Sequence, residues 1–186
     1  RNLTIGRADG TGTVSVPGGG FSFNANGTLE VVNNTVDISG GSLVNTHGDV
    51  MITADNINIS QSVSANGGTG KVTLRQQTAS NMLNLGGGLS NASVGNVDAA
   101  TLAVGRADGG NLVFDNDIST TATSVHLLSG NRVLGIDGGV SAANVAITAG
   151  AGAVISDSTF DFTTLSASLG GSGANMTAAV QSMAGF

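Results

Sequence analysis

The chain has 186 residues with no Cys, no Trp, no Tyr and a single Pro, and only 10% of its residues are charged. Without cysteine there is no disulfide framework, no thiol nucleophile and no cysteine-based metal cluster. Lys and Arg together number 6 against 12 acidic residues, for a net charge of −6. That balance leaves no electrostatic footprint for a phosphate backbone and argues against nucleic-acid binding. No apolar run approaches the ~20 residues that span a bilayer, so membrane insertion is not expected. The first residue is Arg1 and no signal peptide is visible, which leads to the expectation of an internal segment of a larger precursor.

What is present points to β-structure. Gly occurs 30 times, about 16% of the chain against a usual ~7%. Hydrophobic residues make up 40%, enough to bury a core. Of the acidic residues, Glu30 is the only Glu and the rest are Asp, a residue of turns and caps. Val, Ile, Leu and Phe sit in apolar-polar-apolar triplets such as Leu3-Thr4-Ile5, Val14-Ser15-Val16, Phe21-Ser22-Phe23, Val36-Asp37-Ile38, Ile57-Asn58-Ile59 and Phe160-Asp161-Phe162. Their period of two marks short strands with one face buried.

The spacing of the strands is more telling than the strands. From Val14 the openings fall at Phe21, Leu29, Val36, Leu43, Val50 and Ile57, and a second run passes through Ile118, Val125, Val133 and Val140. A beat of about seven residues is too short for ordinary hairpins and fits short strands joined by tight corners, three to a coil. Gly, Asn, Asp and Ser concentrate at those corners, as in Gly18-Gly19-Gly20, Asn33-Asn34 and Gly40-Gly41. A longer echo accompanies the beat: Leu3-Thr4-Ile5 and Leu102-Ala103-Val104 are each followed by Gly-Arg-Ala-Asp-Gly, at an offset of 99 residues.

These features predict an all-β fold, a right-handed parallel β-helix with about 20–21 residues per coil. The length allows about nine coils stacked ~4.8 Å apart, a rod of ~43 Å, with the two GRADG copies roughly five coils apart. Residues 1–165 are expected to form the coils. The Gly/Ala-rich end, 166–186, is expected to hold either a short capping helix over Met176–Met183 or a linker.

The GRADG turns and the strand-turn rhythm rich in Asn, Gly, Thr and Val resemble the repeat regions of large secreted bacterial exoproteins of the filamentous haemagglutinin type. The resemblance spans most of residues 1–165. It implies export by two-partner secretion or as an autotransporter-like passenger, with an outer-membrane transporter as partner during export. It further implies a secreted or cell-surface location, neighbouring modules of the same exoprotein as partners, and a β-helical shaft serving adhesion or biofilm formation, with host or matrix glycans or proteins as targets. The Asn-Pro-containing motifs of that family's secretion region are not recognisable here.

Several residues stand out as candidate sites. Arg7 with Asp9, and Arg106 with Asp108, place opposite charges two residues apart in Gly-bounded turns. Such turns suit either a polar ligand or a structural role in which the Asp accepts turn backbone N–H groups while the Arg packs along the outer wall. Asp115 and Asp117 flank Asn116; with Phe114 and Ile118 pointing inward, both carboxylates point outward, ~7 Å apart at Cβ. That separation is compatible with a glycosidase pair, with calcium, or with solvated turn residues. His47 and His126 have no second His or Cys nearby in sequence to complete a zinc site, and period two puts His126 on the outer wall. No Ser lies in a Gly-x-Ser-x-Gly elbow. Asn-x-Ser/Thr sequons at Asn2, Asn26, Asn33, Asn58, Asn91 and Asn175 are candidate glycosylation sites. No catalytic residue, metal site or cofactor is expected.

The leading expectation is therefore a structural shaft segment of an extracellular adhesin, not an enzyme. The alternatives are a carbohydrate-binding or carbohydrate-cleaving module acting through Asp115 and Asp117, and a self-associating extracellular filament subunit whose open coil ends template stacking.

Overall fold

The computed structural model describes residues 1–85, 89–135, 138–155, 161–170 and 176–178. Its first three coils each contain three short strands. The first coil holds β1 (Leu3–Gly6), β2 (Thr13–Ser15) and β3 (Phe21–Phe23). The second holds β4 (Leu29–Val32), β5 (Thr35–Ile38) and β6 (Leu43–Asn45), and the third β7 (Val50–Thr53), β8 (Asn56–Ile59) and β9 (Val63–Ala65). From β2 onward the starts of these strands follow the seven-residue beat of the sequence. The fourth coil departs from the pattern with β10 (Lys71–Arg75), β11 (Leu83–Leu85), a short helix α1 (Asn91–Gly95) and β12 (Val97–Asp98). Later coils run through β13 (Thr101–Arg106), β14 (Leu112–Phe114), β15 (Ile118–Ser119), β16 (Ser124–Ser129), β17 (Arg132–Gly135), β18 (Val140–Ala149), β19 (Gly152–Ile155), β20 (Asp161–Leu169) and β21 (Met176–Ala178).

Every named strand pairing is parallel, and strands pair with their counterparts one coil away. The result is a β-solenoid of about seven turns. One sheet runs along its whole length, in the order β1, β4, β7, β10, β13, β16, β18, with β20 next to β18. Its register stacks Leu3, Leu29, Val50, Val72, Leu102, Val125, Val145 and Leu165 in one column. The seven turns make a rod of about 34 Å at ~4.8 Å per coil, shorter than the nine coils expected. Steps along the column are 26, 21, 22, 30, 23, 20 and 20 residues, so the expected 20–21 holds for three of seven.

Two coils account for most of the excess. In the first, the corner after β1 extends over residues 7–12, whereas the same corner after β4 is only Asn33-Asn34. In the fourth, the chain inserts α1 and the solenoid changes its cross-section. The β2-β5-β8 sheet ends below α1, and the β3-β6-β9 sheet ends at β12. A new sheet begins at β11 and continues through β14, β17, β19 and β21. The helix closes the open edge of β8: Ser93 Oγ lies 3.4 Å from the Ile59 N–H, and Asn96 Nδ2 donates to the Ile59 carbonyl at 3.1 Å. Those bonds satisfy backbone groups of β8 that a fourth strand of the β2-β5-β8 sheet would otherwise have used. Ser90 caps the helix by accepting from the Ser93 N–H at 3.1 Å.

Inward positions are aliphatic and sealed. Leu29, Val36, Ile38, Leu43, Ile52, Val72 and Leu74 are all inaccessible to solvent. Their first-coil equivalents Leu3, Ile5, Val14, Phe21 and Phe23 are only half-buried, because no further coil covers them in the structure. At the far end, β20 runs past residue 165 without a break, and Met176–Ala178 is a strand paired with β19 where a capping helix was one expectation. Residues 179–186 lie outside the described residues.

Candidate functional site

The GRADG motif begins where a strand of the long sheet must leave the wall. Gly6 and Gly105 have φ of +96° and +88°, and a Cβ on either would stand 1.9 Å from the Val32 carbonyl oxygen or 2.1 Å from that of Leu128. Only glycine fits this combination of left-handed backbone and close approach to the next coil. The following four residues form a turn closed by Gly10 N–H donating to the Arg7 carbonyl at 3.1 Å, and by Gly109 N–H to the Arg106 carbonyl at 2.9 Å.

Within each turn the arginine grips its aspartate with two hydrogen bonds. Arg7 Nε and Nη2 donate to the Asp9 carboxylate at 3.0 and 2.9 Å. Arg106 Nε and Nη2 donate to Asp108 at 2.6 and 2.8 Å. Hydrogen bonding first, and charge attraction second, hold the Asp9 carboxyl below the usual carboxylate range and push the Arg7 guanidinium up. The Asp108 carboxyl is lowered mainly by its hydrogen bond to Arg106, with partial desolvation opposing. The two pairs differ in setting. The Arg7 and Asp9 side chains are 73% and 77% exposed, whereas the Arg106 side chain is 21% exposed.

The sequence offset suggested five coils between the motifs, but the register places them four apart, because the 26- and 30-residue coils both fall between them. They are nevertheless joined by one dipeptide. Gln77 Nε2 donates to the Ala8 and Gly10 carbonyls of the first motif, at 2.6 and 3.1 Å. Arg106 Nη1 of the second motif donates to the carbonyls of Gln76 and Gln77, at 3.2 and 3.0 Å. The long first corner thus folds along the rod, past the short corners at Asn33-Asn34 and Asp55, to reach Gln77. Around it the same edge is cross-linked further. Asp55 accepts from the Thr78 N–H and hydroxyl at 2.8 and 2.6 Å. Arg75 donates to Thr53 Oγ1 at 2.9 Å and to Glu30 at 3.3 Å. Gln76 is buried, its amide nitrogen donating to the Asn81 carbonyl at 3.0 Å.

Gln77, Gln76, Arg75 and Asp55 were not singled out in the sequence. Nothing local marks them: Gln77 is 67 residues from Gly10, and only the stacking register brings them together. Each GRADG arginine is hydrogen-bonded to its own aspartate.

Asp115 and Asp117 are exposed between buried Phe114 and Ile118, as the alternation required. They are tied to different coils. Asp115 accepts from Asn84 Nδ2 of the preceding coil, and Asp117 from the Gly139 N–H of the following coil at 3.3 Å. His126 is on the outer wall, and His47 is exposed, with Nδ1 2.9 Å from the Thr46 hydroxyl. Among the described residues no group of three or more His, Cys, Asp or Glu is placed to hold a metal ion.

Of the sequon asparagines, Asn2, Asn26 and Asn58 are exposed and Asn33 is half-buried. Three of these use their carboxamides internally: Asn2 Oδ1 accepts from the Thr28 N–H at 3.0 Å, Asn33 Oδ1 from the Asn34 N–H at 2.9 Å, and Asn58 Nδ2 donates to Asp37 at 2.8 Å. Asn91 lies in α1, and Asn175 is outside the described residues. Among the described residues no helix is long and apolar enough to cross a membrane.

No protein-family model, no curated protein and no solved structure matches the chain.

Proposed function

We propose that this chain is a structural shaft segment of an extracellular bacterial adhesin or exoprotein of the filamentous haemagglutinin type, holding binding elements away from a cell surface. The observation that carries this reading is the use made of the repeated GRADG turn. The first copy gives its Ala8 and Gly10 carbonyls to Gln77, and the second gives Arg106 to the Gln76 and Gln77 carbonyls, so that both join coils along one edge of a parallel β-solenoid. A parallel solenoid built this way makes a stiff, extendable rod, since each coil contacts chiefly its neighbours. The GRADG and strand-rhythm resemblance supplies the class of exoprotein, its surface location and its export partner.

The placement of Asp115 and Asp117 supports the shaft reading over the carbohydrate-cleaving one. Asp115 and Asp117 are held by opposite neighbours, and an acid–base pair needs two carboxyls converging on one substrate bond. Negative-stain imaging of the protein in its native secreted context tests the shaft reading. Elongated rods that lengthen with the number of such segments support it, and a compact particle refutes it. In parallel, Asp115→Asn with Asp117→Asn is expected to leave surface attachment unchanged; loss of attachment with an unaltered melting curve would restore the carboxylate reading.

A further inference from the structure

The chain contains two Asn-Gly pairs, Asn26-Gly27 and Asn66-Gly67. In such a pair the glycine nitrogen can attack the side-chain carbonyl of the asparagine, because no Cβ shields its approach. The fold treats the two pairs very differently.

Among the described residues, Asn66 is the one non-glycine residue with positive φ, +50°. It opens a left-handed turn between β9 and β10 that continues through Gly67, at φ 59° and ψ 39°, and Gly68, at φ 83°. Gly70 N–H closes the turn by donating to the Ala65 carbonyl at 2.9 Å. The Asn66 carbonyl accepts twice from Thr69, from its N–H at 3.2 Å and its hydroxyl at 2.7 Å. Asn66, Gly67 and Thr69 are all exposed, and a Cβ on Gly67 would meet nothing within 4 Å.

This backbone is close to the one that ring closure demands. An imide joining Gly67 N to Asn66 Cγ brings that nitrogen to the Cβ side of the Asn66 Cα. With positive φ, this is the first central position of a type II′ turn, φ about +60° and ψ about −120°. Asn66 already has the φ, so closure needs a rotation of the 66–67 peptide unit, which frees the Asn66 carbonyl from Thr69. The bonds given up lie at the surface, where water replaces them. Asn26 has no such advantage, since its φ is not positive. Gly27 is also wedged between coils: a Cβ on it would stand 2.0 Å from the Arg1 carbonyl oxygen, and its own carbonyl accepts from buried Asn45 at 2.7 Å. Rotating Gly27 takes an acceptor away from a buried amide, which is the costlier loss.

We infer that Asn66 is a site of spontaneous deamidation, with the Thr69 hydroxyl as its brake. Gly67 N–H gives its proton to water as its nitrogen bonds to Asn66 Cγ; the Cγ–Nδ2 bond then breaks and ammonia leaves. Water next opens the imide. Attack at Cγ leaves an aspartyl residue, and attack at the α-carbonyl leaves an isoaspartyl linkage in which the chain runs through the former side chain. Either product puts a new negative charge in a turn that already packs against a carboxylate: Asp98 Oδ1 lies 2.5 Å from where a Cβ on Gly68 would be, and Asp98 accepts from the Ser64 hydroxyl at 2.9 Å. The inference goes beyond the shaft reading and does not depend on it.

The test incubates the intact chain in heavy-oxygen water at mildly alkaline pH, then maps the label by peptide mass and detects isoaspartate with a protein isoaspartyl methyltransferase. Label is expected to enter the peptide holding residue 66 about ten- to hundredfold faster than the one holding residue 26, and the two rates should converge in urea. Thr69→Val removes one hydrogen bond to the Asn66 carbonyl and should speed the native reaction about three- to tenfold. Asn66→Gln should abolish labelling there. Native labelling at residue 26 that equals or exceeds that at residue 66 overturns the inference. So does a folded chain that stays unlabelled at residue 66 while the urea-unfolded chain labels at both sites, and an unchanged rate in folded Thr69→Val removes the brake.

Discussion

Gly105→Ala is the most direct probe of how the coils are held together. Two separate costs follow from the geometry. At φ of +88° an L-residue is strained, by about 1–2 kcal/mol. The new methyl would also stand 2.1 Å from the Leu128 carbonyl oxygen, well inside contact distance. Gly105 pairs with Leu128 in the β13–β16 ladder, so relief requires that the two strands part locally, at the expense of about one hydrogen bond, ~1 kcal/mol. The sum is about 2–3 kcal/mol, which for a chain of this size lowers the melting temperature by roughly 4–12 °C. Gly19→Ala is the internal control, because it faces open space at an ordinary φ. It should be neutral, or stabilising by up to about 1 kcal/mol through the loss of unfolded-state entropy. Circular dichroism melts of the two variants beside the wild type decide the matter. If Gly105→Ala melts with the wild type, or if the two alanines shift the curve equally, the close approach and backbone strain assigned to GRADG are wrong.

Three further outcomes follow from the same structure. Gln77→Ala removes two hydrogen bonds to the first GRADG corner, and amide exchange over residues 8–12 should accelerate about 5- to 30-fold while the buried strands keep their protection. Acid should weaken the GRADG edge: the Asp9 and Asp108 carboxyls lie below their unfolded range, so the stability they contribute is present above the ordinary carboxylate pKa and lost as pH falls through the lowered one. Asp108→Asn should therefore flatten part of the melting-temperature profile between neutral and strongly acidic pH, and an unchanged profile would contradict the assignment. Phe114→Ala empties a fully buried site beside the change of cross-section and should destabilise by about 3–5 kcal/mol in urea melts, whereas Asp115→Ala one position on should cost far less.

Local alternation fixed which side of the wall each residue faces. Val36, Ile38, Ile57 and Ile59 are inside, while Asp37, Asn58 and His126 are outside, because successive strand residues point to opposite faces whatever lies next to them. The beat located β2 through β8, and the Gly, Asn and Asp clusters located the corners between them. The change at the fourth coil was not legible. β11, β14 and α1 fall where the beat lapses, and a run such as Asn91-Ala92-Ser93-Val94-Gly95 becomes helical through the edge of β8 that it covers. Nor did the offset between the two GRADG copies give the number of turns separating them, since residues added at a corner lengthen a coil without adding one.

The sequence by itself thus determined that this protein is a parallel coil of short strands, with aliphatic residues inside and small polar ones outside. The facing of each residue depends on its immediate neighbours, and the coil on a beat of about seven residues. Only the tertiary structure decided the number of turns, the change of cross-section, and the meeting of two distant GRADG turns at Gln77. Each of these depends on backbone pairing and corner packing between residues about 20 or more positions apart, and no local window of sequence contains that register.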